Sequence, residues 1–143
     1  MQLKEIQSFV YKVYGKSIPV YFVDTKTKPW KFLSVFPAWM SPKNEIIINM
    51  NSWNNYDELI QKYIILHEIG HIEDSSNYYS SSVQRELFAQ TYAIKKAESL
   101  RMFDLVELLK YILSSWEFDY KWNSPQRRYI LASKLAKKKG IVA

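Results

Sequence analysis

The chain has 143 residues, of which 48% are hydrophobic, 24% charged and 16% aromatic, which suits one compact domain with a real core. Its 3 Gly and 5 Pro exclude collagen-like and linker-rich architectures, and the lack of Cys excludes disulfides, thiolate metal sites, iron–sulfur clusters and cysteine nucleophiles. The net charge of +6 is uneven: from Lys121 onward there are seven basic residues and no acid, against 13 basic and 14 acidic groups in residues 1–120.

In chain order, Leu3, Ile6, Val10 and Val13 recur at helical spacing over residues 2–14, and Gly15 is placed to end that helix. Ile18–Val23 is β-branched and aromatic and reads as a strand. After a polar turn, Trp30–Trp39 and Glu45–Met50 read as two further strands around a Ser41-Pro42-Lys43-Asn44 hairpin loop, with Pro37 marking the first as an edge strand. A helix is expected from about Tyr56, capped by Asn54 or Asn55, with Asp57 or Glu58 in its first turn. Its second half is apolar nearly all round, the pattern of a buried helix. Ser75–Ser82 reads as a loop. Helices follow over Val83–Ser99, Met102–Trp116 and Pro125–Lys139, the last with Ser124 and Pro125 as cap and first residue. The expected architecture is a single α+β domain over residues 1–143, with a small three-stranded antiparallel or mixed sheet followed by a helical bundle. The N-terminus lacks the pattern of a signal peptide and no apolar run could span a bilayer, so a soluble cytoplasmic protein without membrane contact is expected.

Both histidines of the chain fall in His67-Glu68-Ile69-Gly70-His71, an HExxH sequence on the buried helix. Residues four apart stack on one helix face, so His67 and His71 can both reach one zinc ion at about 2.0–2.1 Å. Glu68 lies one step round the helix, beside the metal, where it can take a proton from water. A third ligand must then be a carboxylate. Glu73 and Asp74 are too close on the same helix to complete a tetrahedron. Glu86, near the start of the next helix after a reversing loop, is the choice, with Glu98 as competitor if that helix passes the metal the other way.

His67-Glu68-Ile69-Gly70-His71 followed by Arg85-Glu86-Leu87-Phe88-Ala89 resembles a gluzincin-type metallopeptidase, and more narrowly the ImmA/IrrE family of small zinc peptidases. The upstream strands and the closing segment from Asn123-Ser124-Pro125 to Lys139-Gly140-Ile141-Val142 agree with that family's order of elements. Leu87-Phe88 directly after Glu86 departs from its usual pattern. The resemblance implies a zincin-like fold and a zinc-dependent endopeptidase, with zinc on His67, His71 and Glu86 and Glu68 as general base. It further implies a specific protein substrate, such as a DNA-binding repressor, added to an exposed strand edge at Phe36, Ala38, Trp39 and Met40. An oxyanion stabiliser is also required, for which Tyr78, Tyr79, Tyr120 and Arg127 are candidates.

The alternative is a nucleic-acid-binding or regulatory module with a structural zinc and a basic C-terminal helix. On that helix Arg127, Lys134, Lys137 and Lys138 share a face opposite Tyr129, Leu131, Leu135 and Ala136, which suits DNA phosphates but equally a docked helix with a wet side. The docked helix is the favoured of the two. The sequence does not fix the oligomeric state.

Overall fold

The computed structural model describes residues 1–74, 82–116 and 125–143. Within them the chain is α+β, with a three-stranded mixed sheet and five α-helices. None of these helices is long and apolar enough to cross a membrane. The expected Ser75–Ser82 loop and the Ser124 cap lie outside the described residues, apart from Ser82 itself, which opens a helix.

Helix α1 (Leu3–Tyr14) buries Ile6, Phe9, Val10 and Val13 and ends at Gly15, whose φ of 77° is the left-handed conformation that glycine adopts without strain. Strands β1 (Val20–Val23), β2 (Ala38–Met40) and β3 (Ile46–Asn49) form a sheet in the order β1-β3-β2. The β1–β3 pair is parallel and the β2–β3 pair antiparallel. The central β3 is buried at every position, which explains why Ile46-Ile47-Ile48 is an unbroken apolar run rather than an alternating one. The β2–β3 hairpin turns through Asn44 at φ 58°, and Ser41 Oγ accepts the Glu45 N–H at 3.1 Å.

Trp30–Trp39 is not one strand. Trp30–Leu33 is a 3-10 helix and only Ala38–Met40 pairs in the sheet, at its edge. The reason is periodicity: Trp30, Leu33, Phe36 and Trp39 recur every third residue, the period of a 3-10 turn, and together they pack on Val23 and Ile47. Buried Asn49 fixes this segment, donating from Nδ2 to the Phe36 carbonyl at 3.1 Å while its Oδ1 accepts from Thr25 Oγ1 at 3.1 Å.

Helix α2 (Glu58–Glu73) is capped by Asp57, not by Asn54 or Asn55. Those two asparagines belong to a short 3-10 turn, Trp53–Asn55, held by the buried Trp53 indole donating to the Met1 carbonyl at 3.0 Å. Helix α2 is buried continuously from Tyr63 to Gly70. Helices α3 (Ser82–Ser99) and α5 (Pro125–Lys138) pack on it and α4 (Phe103–Trp116) packs on those two, closing the core with Ala93, Ala97, Leu109, Ile112, Ala132 and Ala136.

Helices α2 and α3 approach closely at one point. A Cβ on Gly70 would stand 2.8 Å from Ala89 Cα and 3.0 Å from its carbonyl oxygen, so the α3 backbone occupies the space a side chain would need. Gly70→Ala would gain up to about 1 kcal/mol of helix propensity, but backbone cannot step aside as a flexible side chain can. Overpacking of this kind costs about 1–3 kcal/mol. Urea unfolding of Gly70→Ala is therefore expected to show a net loss of stability with an unchanged slope. A variant as stable as the wild type would show that the two helices part freely.

Candidate metal centre

The close approach of α2 and α3 has a chemical consequence one turn away. Tyr63 meets Gln90 while His67 meets Glu86, so contacts advance along α2 as they retreat along α3. Glu86 thereby lies across both imidazoles of α2. His67 Nε2 stands 2.7 Å from Glu86 Oε2, and His71 Nε2 stands 3.3 Å from Glu86 Oε1. His67, His71 and Glu86 form a group that could hold a metal ion, their ligand atoms all within 4.8 Å of one another. A tetrahedral ion bound at 2.0–2.1 Å separates its ligand atoms by about 3.3 Å, the distance seen for His71 and Glu86. The competing carboxylate, Glu98, faces away and pairs with Lys110 at 3.3 Å.

A protein cation stands against these atoms. Arg128, on α5 and only 1% exposed, places Nη1 2.7 Å from His67 Nε2 and 2.5 Å from Glu86 Oε2. His67 Nε2 therefore lies between the Arg128 guanidinium and a Glu86 carboxylate oxygen. One imidazole nitrogen and one carboxylate oxygen thus meet at the Arg128 charge.

Burial and the Arg128 charge push the His67 imidazole down to about 3, keeping it neutral. Burial opposes ionisation of Glu86, yet its contacts with His67 and His71 and the Arg128 charge hold its carboxyl well below the usual range. Burial pushes the Glu68 carboxyl up to about 7, against the pull of His71. Around His67 the rings of Tyr63 and Tyr129 stand edge-on, at 6.2 and 6.3 Å between centroids, and confine the imidazole. Tyr63 is itself fixed by donating its hydroxyl to Gln90 Oε1 at 2.6 Å.

The candidate group opens on a cleft of about 750 Å³ that brings together His67, Glu68, His71 and Glu86 with the edge-strand residues Ala38, Trp39 and Met40 and with Phe36, which lies just before the strand rather than in it. The pairing of β2 fixes which backbone groups face this cleft. Asn49 N–H donates to the Pro37 carbonyl and Ser41 N–H to the Glu45 carbonyl, so residues 37, 39 and 41 bond inward to β3. Ala38 and Met40 turn their backbone groups outward. The Met40 N–H faces Glu68 and favours its charged form against the burial.

Arg127 is exposed on α5 and does not line the cleft, whereas its neighbour Arg128 does. Tyr78, Tyr79 and Tyr120 lie outside the described residues. Arg128 is the site residue that sequence reading missed. Counted among the basic groups of the C-terminal segment, it carried one usable signal: it directly precedes Tyr129 on the apolar face, so a helical projection puts it at the border of the buried side. Comparison with protein-family models, with curated proteins and with solved structures gave no match.

Proposed function

We propose that the protein is a zinc-dependent endopeptidase acting on a specific protein substrate, a transcriptional repressor or similar regulator being the kind of target its family resemblance implies. The observation that carries this reading is the buried Glu68 carboxylate beside the His67, His71 and Glu86 group, on the wall of an open cleft. A structural zinc site closes its fourth position with a further ligand and has no use for a carboxylate alongside. Three protein ligands with a cleft in front suit a catalytic site.

His67 Nε2, His71 Nε2 and the Glu86 carboxylate would hold zinc, a choice supported by two imidazoles and one carboxylate in a chain without Cys. Zinc bound there supplies Lewis-acid chemistry, activating water and polarising a peptide carbonyl. The outward backbone groups of Ala38 and the Met40 carbonyl take the substrate as an added strand. This lays its backbone across the cleft in front of Glu68. Glu68 accepts the proton released as water adds to the peptide carbon, and returns it to the leaving amine nitrogen as the C–N bond breaks. Facing the Met40 N–H, the carboxylate lies next to the bound backbone.

Arg128 takes the place held open for an oxyanion stabiliser. Its guanidinium lies beside Glu86 on the cleft wall, where it can donate as negative charge develops on the carbonyl oxygen. Its burial on the inner side of α5 leaves it less mobile than a surface cation.

Two variants test this reading with a randomised ten-residue peptide mixture, products read by mass spectrometry and zinc by elemental analysis. Glu68→Gln is expected to keep one zinc per chain and lose hydrolysis. Full activity in that variant would overturn the mechanism. Arg128→Met is expected to keep zinc and lower kcat by about 10²–10³, the usual cost of one oxyanion donor. An unchanged kcat would show that Arg128 only braces Glu86.

A further inference from the structure

The cleft in front of the metal group does not end at β2. Phe36 lines it and also lines a second cleft of about 330 Å³ between α5 and the segment leading into β2. This second cleft is lined by apolar Val35, Pro37, Tyr56 and Ile130 together with polar residues, and by Lys134 and Lys137 of α5. No acidic residue lines it, and neither lysine has an ion-pair partner among the described residues. Two lysines about one helical turn apart thus line a partly apolar groove that no acidic residue lines.

We propose that this second cleft is a substrate subsite selecting an acidic side chain, Asp or Glu, held by Lys134 and Lys137 beside the apolar lining. The proposal rests on the peptidase reading and adds to it the chemistry of the sequence that is cut. The spacing follows from α5. Arg128 lies at the metal group, and at 1.5 Å per residue Lys134 and Lys137 stand about 9 and 14 Å farther along the helix axis. An extended peptide advances about 3.3 Å per residue. The acidic side chain therefore falls about three or four residues from the bond under attack. A substrate strand paired on Ala38 and Met40 and continuing past Phe36 enters this cleft directly. The apolar lining strengthens the charge pairing by excluding water from one side of it.

Two measurements on the full chain separate the subsite from the catalytic reading. In the first, fluorescein-labelled ten-residue peptides carrying a Glu, Gln or Lys pair bind the zinc-loaded Glu68→Gln protein, followed by anisotropy. Binding at least about tenfold tighter for the Glu peptide is expected, as for a pair of charge contacts. Lys134→Glu with Lys137→Glu should reverse the preference to the Lys peptide. Lys138→Glu with Lys139→Glu alters net charge equally but lies outside the cleft, and should leave the preference intact. Equal binding of the three peptides, or equal loss in both double variants, overturns the subsite. In the second measurement the wild type cuts a randomised peptide mixture, and the cut sites are aligned on the broken bond. An acid enriched three or four residues away, on one side, supports the subsite. Cutting without that enrichment overturns the subsite and leaves the peptidase reading standing. Charge-selective binding with no cutting overturns the peptidase reading and leaves an acidic-peptide cleft.

Discussion

The site depends on two helix backbones lying closer than any side chain would allow. At Gly70 the α2 helix has no Cβ, and Ala89 of α3 fills the place where one would stand. One turn along from this contact, Glu86 is carried against both imidazoles, at 2.7 and 3.3 Å. The HExxH spacing by itself supplies two ligands on one helix face. The third is a matter of interhelical distance, and Gly70, the fourth residue of the motif, sets that distance. A wider separation of α2 and α3 would leave two buried histidines and a carboxylate with nothing to bind in common.

Burying such groups is costly, so the surrounding elements compensate them individually. Glu86 has Arg128, Glu68 has the Met40 backbone N–H, and Tyr63 has Gln90. These partners come from α5, β2 and α3 respectively, which couples the site to nearly every layer of the fold. The small sheet contributes an edge rather than a core. Because β3 takes the central position, β2 keeps one side unpaired, and Ala38 and Met40 offer their backbone groups to the cleft.

Strong periodicity made much of this legible from residues alone. The apolar spacing of α1, the all-round apolarity of α2 and the edge character signalled by Pro37 correspond to the observed elements. The Trp30–Trp39 segment misled because aromatic residues suggest a strand by composition, while their spacing of three is that of a tight helical turn. The cap of α2 was displaced to Asp57 because Trp53, anchored to Met1 from the far end of the chain, holds Asn54 and Asn55 in a separate turn. No local pattern announces a contact between residues that distant. Arg128 was hidden for the same reason. A basic residue in a basic segment reads as solvated, and only the return of α5 across α2 shows that its charge is turned inward to Glu86.

The account stands or falls on a metal held jointly by α2 and α3. Its most direct test is the metal content of purified protein by mass spectrometry, wild type beside Glu86→Ala and Glu98→Ala, after dialysis against zinc and then against metal-free buffer. The account predicts about one zinc per chain in the wild type and in Glu98→Ala, with sharply weakened retention in Glu86→Ala. A wild type that retains no zinc, or a Glu86→Ala protein that retains it equally, would contradict it.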